Sequence, residues 1–178
     1  MSTTATAVLI VVIAIAAIGI ILLWQRENSR KLRARFGPEY DRVASEQGTR
    51  KGETILRQRE KRISTFPIHS RPNEKREQFA ARWRSVQERF VDDPHAAVGQ
   101  ADHLIDELLK ARGYPVVDFE QQTADLSVEH VRVVDHYRIA HDIAVRDRTS
   151  DAGTEDLRLA LQHYRALFEE LLEMSVKR

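Results

Sequence analysis

The stretch "ERFVDDPHAAVGQADHL" (residues 88–104) decides the fold, because it contains both the end of one helical pattern and the start of another. Asp92 and Asp93 stand directly before Pro94. A helix start has backbone N–H groups without intrahelical acceptors, an aspartate oxygen can accept from one of them, and proline at the first helical position gives up no needed donor. The cluster of Asp92, Asp93, His95, Asp102 and His103 is therefore read first as a helix boundary with an aspartate cap.

Upstream, Phe79, Trp83, Val86 and Phe90 recur at intervals of four, three and four, which places them on one face of a helix that Pro72 is suited to begin. Downstream, Val98, Ala101, Leu104 or Ile105, and Leu108 form the seam of a helix over about 94–112. Lys110, Arg112, Gly113 and Pro115 signal its end. A short turn of helix is expected in "DFEQQTADL". Ser127 is expected to cap a helix carrying Val131, Val134, Tyr137, Ala140 or His141, and Ala144. Thr154 is expected to cap a last helix with Leu157, Ala160 or Leu161, Tyr164, Phe168 and Leu171 on one stripe. Four such helices can hide their apolar stripes only against one another. Only "YPVVDF" could read as extended, so the expected class is all-α, with an antiparallel four-helix domain over 70–175.

At the amino end, "TATAVLIVVIAIAAIGIILLW" carries no charge, and Ala7 to Trp24 is an unbroken apolar run of eighteen residues. At about 1.5 Å of rise per residue this is close to the length needed to cross a bilayer core of about 30 Å. No Lys or Arg precedes the run, and "WQRENSRK" after it lacks a small-x-small cleavage pattern. An uncleaved, single-pass signal-anchor over 1–25 is expected rather than a removed leader. Arg26, Arg30, Lys31, Arg33 and Arg35 follow at once. By the basic-residue asymmetry they place the carboxyl-terminal body in the cytoplasm and offer a contact to anionic membrane lipids or to a partner, with Trp24 at the interface.

Residues 26–69 read as a basic helical connector, solvated or coiled, broken near Gly37-Pro38 and again within "GTRKG" (48–52), with Ile55, Leu56, Ile63 and Phe66 as a weak apolar seam. Residues 25–66 hold twelve Lys/Arg against six Asp/Glu, and residues 67–178 hold sixteen against twenty-one. The overall charge of +1 thus hides a basic collar and an acidic body. Acid-to-base pairs four apart, such as Glu27/Lys31, Glu46/Arg50 and Glu53/Arg57, argue against a dedicated nucleic-acid arm.

The chain has no cysteine, which excludes disulfides, thiol nucleophiles and thiolate-held metal clusters. It has no H-E-x-x-H, no phosphate-cradling G-x-x-x-x-G-K-[ST], no G-x-G-x-x-G, and no G-x-S-x-G around Ser70, Ser85, Ser127 or Ser150. No catalytic residue, metal ligand or cofactor is expected. The weak alternative is a polar site made from Asp92, His95, Asp102 and His103, yet the seam at 98, 101, 105 and 108 leaves these at its edges, as a solvated face. Among His130, His136 and His141, the first and last lie about 20° apart on a helix while the second points elsewhere. His141 is expected half-buried and the others in solvent, with a pH-sensitive contact as the functional alternative. Trp83, Phe79, Phe90, Tyr164 and Phe168 read as packing anchors.

The segments "RARFGPEYDRV", "WRSVQERFVDDPHAAVGQAD", "ARGYPVVDFEQ" and "HYRALFEELL" resemble an uncharacterised family of small actinobacterial membrane-associated helical proteins, some of them labelled secreted. That resemblance spans about residues 33–172 and implies no catalytic residue, ligand or reaction. The expected function is a membrane-tethered helical adaptor or structural protein that recruits another protein, or a second copy of itself, at the inner membrane face. The alternative is a small membrane-bound enzyme or sensor using His, Asp and Glu residues from several helices.

Overall fold

The computed structural model describes residues 3–67, 73–115, 117–149 and 151–173; for residues 3–11, 14, 73, 74 and 173 it describes the backbone only. Among the described residues there are eight α-helices and no strand. The chain divides into two compact units, Met1–Arg57 and Gln58–Arg178, and the division falls within the third helix.

In the first unit, α1 (Thr3–Phe36) ends where Gly37 takes a positive φ of 48°, and Pro38 opens α2 (Pro38–Gln47) at its first position. Gly48, at φ 79°, separates α2 from α3 (Thr49–Ile63). This left-handed backbone is open to glycine and costly for other residues. The expected breaks at Gly37-Pro38 and at the start of "GTRKG" are both present, whereas Gly52 lies inside α3. Leu32, Phe36, Tyr40, Val43 and Leu56 are the buried apolar residues of this unit.

The transmembrane anchor expected over residues 1–25 is not what the structure shows. Among the described residues no helix is long and apolar enough to cross a membrane. α1 runs without a break from Thr3 to Phe36, so the apolar residues up to Trp24 share one helix with Arg26, Glu27, Arg30 and Lys31. The single-pass signal-anchor topology, the placement at the cell membrane with a cytoplasmic carboxyl-terminal body, the anionic-lipid partner and the membrane-tethered adaptor all rested on that span. So did the membrane-bound enzyme or sensor. All are overturned with it. Val12, Ile13 and most large apolar residues from Ile15 to Trp24 are nonetheless exposed, Trp24 to 70%.

The second unit holds the end of α3, then α4 (Asn73–Asp92), α5 (Pro94–Ala111), α6 (Phe119–Leu126), α7 (Val134–Asp147) and α8 (Thr154–Glu173). Pro72, expected to start α4, lies outside the described residues. The α4/α5 boundary forms as the residues dictate: Asp93 caps α5 by accepting from the Ala96 N–H at 3.0 Å, with Pro94 at the first helical position. Asp118 caps α6 in the same way through the Gln121 N–H at 2.9 Å.

α5 is the central helix, packed on α4, α7 and α8, and α7 lies along α8. Val98, Ala101, Ile105 and Leu108 of α5 are fully buried with Leu157, Ala160, Tyr164, Leu167 and Leu171 of α8. Trp83 stacks on Phe168 with ring centroids 4.7 Å apart and planes 15° apart, a side-by-side burial of two large rings.

The helix expected from Ser127 starts later. Ser127 ends α6 instead: its backbone N–H bonds the Thr123 carbonyl and its Oγ donates to the Ala124 carbonyl at 2.7 Å. Residues 128–133 then form turns that bury Val128, His130 and Val133 before α7 begins at Val134. A serine hydroxyl satisfies the backbone at either helix end, and the sequence pattern alone does not separate the two uses.

Candidate functional site

The polar chemistry of the second unit is concentrated where helices meet. Asp102 sits on α5 beside the apolar seam and is buried. The Tyr164 hydroxyl on α8 donates to its Oδ1 at 2.6 Å, His141 Nδ1 on α7 lies 3.3 Å from the same oxygen, and the Arg148 guanidinium just beyond α7 donates to Oδ2 at 3.1 Å. Burial by itself pushes this carboxyl up; the bonds from His141 and Tyr164 and the charges of His141 and Arg148 outweigh it and hold it below its ordinary value. Burial raises the Tyr164 hydroxyl, and the neighbouring Asp102 adds to the effect, so that side chain stays a neutral donor. One turn further along α5, Asp106 accepts from the Tyr137 hydroxyl at 3.1 Å and from Gln122 at 3.3 Å. Phe119 lies flat on His141, with centroids 3.8 Å apart and planes 11° apart, and fixes the ring.

A second group lies between α7 and α8. His136 and His163 approach with Nδ1 to Nδ1 at 2.6 Å. At that distance one ring donates N–H and the other accepts with its lone pair, so the contact carries one proton and not two. Desolvation, and then the facing His136, lower the His163 ring below its ordinary value.

The third group is the most buried. His130, in the turn before α7, has almost no exposed surface, and neither ring nitrogen has a hydrogen-bond partner among the described residues. Its Nδ1 is 3.6 Å from a Glu170 carboxylate oxygen on α8, beyond hydrogen-bond distance, and Glu170 is shared with Arg132 at 3.5 Å. Arg112, also buried, donates to the Leu171 carbonyl and leaves its Nε unpartnered. Desolvation, reinforced by the Arg112 charge and opposed by Glu170 and Glu129, lowers the His130 ring from its ordinary value.

The residues singled out in the sequence do not come together as one site. Asp92 is exposed at the end of α4. His95, mostly exposed, pairs with Asp147 at the end of α7 at 2.6 Å. Asp102 is the hub just described. His103 is exposed and faces Glu107 at 3.1 Å, one turn along its own helix, beside a groove of about 570 Å³ lined by Arg82, Ser85, Gly99 and Gln100. Among the described residues no group of three or more His, Asp or Glu side chains is placed to hold a metal ion.

In the first unit, Arg33 pairs with Asp41 at 2.6 Å, while Arg26, Arg30, Lys31 and Arg35 lie on the exposed surface of α1. His141 is half-buried as expected, but His130 is not in solvent: it precedes α7 rather than lying on it. Sequence reasoning missed Tyr164, Arg148, Arg112, Glu170 and His163 as partners. Each is distant along the chain, and only the histidine content hinted at junctions of this kind.

No family model, no curated protein and no solved structure matches this chain.

Proposed function

We propose that the Gln58–Arg178 unit is a proton-responsive helical module, whose packing between α7 and α8 loosens as histidines at the helix junctions take up protons. The observation that carries this reading is the His136–His163 contact, 2.6 Å between two Nδ1 atoms on neighbouring helices, which has room for a single proton.

A proton added to His163 is resisted by its desolvation and by the facing His136, and two charged rings would leave this contact no lone pair to accept; histidine is the side chain whose ordinary titration lies between about pH 5 and 8. His130 acts in the same direction. A second positive charge beside buried Arg112, with Glu170 outside hydrogen-bond reach, opposes its protonation. Both sites touch α8, through His163 and Glu170. The contacts of α5 with α7 differ in kind, since His95–Asp147 and His141–Asp102 set a ring nitrogen against a carboxylate rather than against another ring. Acidification therefore acts on the contacts of α8 with α7 and with the turn holding His130, not on its Tyr164–Asp102 bond to α5. The chemistry is that of a switch element biased by protons, not of bond making.

Amide hydrogen exchange on the full chain at pH 7.5 and pH 5.5, corrected for the intrinsic dependence of exchange on pH, tests it. The expected result is a selective loss of protection in α8 and the facing side of α7 at the lower pH. Protection that changes uniformly across α4, α5, α7 and α8, or not at all, would reject the reading.

A further inference from the structure

The first unit contains a cleft unrelated to these histidines. It measures about 670 Å³, lies between the middle of α1 and the start of α3, and is lined by Trp24, Asn28, Ser29, Arg50, Thr54 and Arg57, among others. Trp24 presents an open indole to it, being 70% exposed. Arg50 has no ion-pair or hydrogen-bond partner for its guanidinium among the described residues.

The one carboxylate in the cleft, Glu53, is already engaged on both oxygens: the Tyr40 hydroxyl donates to Oε1 at 3.0 Å and Arg57 to Oε2 at 3.2 Å. The Ser29 and Thr54 hydroxyls each donate to a carbonyl one turn back, at 3.0 Å, which leaves their oxygens as acceptors. Asn28 adds an amide donor and acceptor. Charge points the same way, since the described part of the unit from Arg26 to Arg57 holds nine Lys/Arg against five Asp/Glu.

The geometry points to this cleft as a binding site for a phosphorylated ligand with a planar ring, of the mononucleotide class, its phosphate on Arg50 and its ring against Trp24. A guanidinium fork matches phosphate oxygens in pairs. An exposed indole face favours stacking with any flat π-system, as bases stack on aromatic side chains in nucleic-acid complexes. The hydroxyl and amide groups that also line the cleft suit the hydroxyls of a linking sugar.

Trp83 is buried and stacked in the second unit, so quenching of the exposed, red-shifted tryptophan emission of the full chain reports on Trp24. The test titrates the full chain with AMP, with adenosine, and with glycerol 3-phosphate, a phosphate ester without a ring. Isothermal calorimetry runs in parallel. AMP is expected to quench saturably and to bind more tightly than either fragment. Arg50→Ala is expected to weaken AMP about tenfold or more, as the loss of one charge-assisted contact, while leaving adenosine unchanged. Trp24→Ala should weaken AMP and adenosine but not glycerol 3-phosphate. Glycerol 3-phosphate binding as well as AMP would overturn the ring contact. Absence of saturable AMP binding, or indifference to Arg50→Ala, would overturn the site.

Discussion

Asp102 shows how one side chain can bind three elements together. It lies on α5, yet its partners are Tyr164 on α8, His141 on α7 and Arg148 beyond α7. A buried carboxylate that lost one donor would keep its charge and lose part of its compensation. Tyr164→Phe is accordingly expected to destabilise the folded chain by about 1–3 kcal/mol in urea unfolding at pH 7, without altering its helix content. Trp83→Ala removes one of two stacked, buried rings and is expected to cost about 3–5 kcal/mol in the same measurement; an unchanged midpoint would take Trp83 out of the core.

Residues whose role is local were legible in the sequence. Asp93 beside Pro94 caps a helix because both effects act within four residues, and Trp83 falls on an apolar face by spacing alone. The partners of Asp102 were not legible, since they are 39, 46 and 62 positions away and only the packed fold brings them near.

Most boundaries between elements are set by glycine, proline and aspartate, and these follow from backbone chemistry. Gly37 and Gly48 take positive φ, Pro38 and Pro94 open helices, and Asp93 and Asp118 cap them. Two consequences are measurable by thermal or urea unfolding. Asp93→Ala leaves the Ala96 N–H without its acceptor and is expected to cost about 0.5–2 kcal/mol. Gly48→Ala forces a side chain into positive-φ backbone at φ 79°, ψ 150°, a region nearly confined to glycine, and is expected to cost about 1–3 kcal/mol, although nothing crowds the added carbon. The start of α7 was misread because Ser127 fits either end of a helix. Its actual use depends on the turn that buries His130, which no periodicity announces. The apolar run of α1 was misread in a different way: its length suggested a span, but among the described residues no helix has the reach and apolarity to cross a membrane.

For the whole molecule, the shifted groups fix the sign of its response to acid. His130 and His163 have folded values below the ordinary histidine value of about 6.5. Above that pH both folded and unfolded chains are neutral at these rings, and they contribute nothing. Below it the unfolded chain takes up protons that the folded chain resists, so stability falls until the folded values are passed. Asp102, held below its ordinary value, behaves as a carboxylate stabilised by folding. Its contribution is complete above about pH 4 and is lost as pH falls through its folded value. The acid limb should therefore have two parts, a histidine part starting near pH 6.5 and a carboxylate part below about pH 4.

The most direct test is the free energy of urea unfolding of the full chain at pH 7.5 and pH 5.5, for the native sequence and for His163→Asn, whose amide can still bond His136 Nδ1 but cannot take a proton. A loss of stability on acidification that is clearly smaller in the variant is the predicted result. An equal loss in both chains would contradict the account.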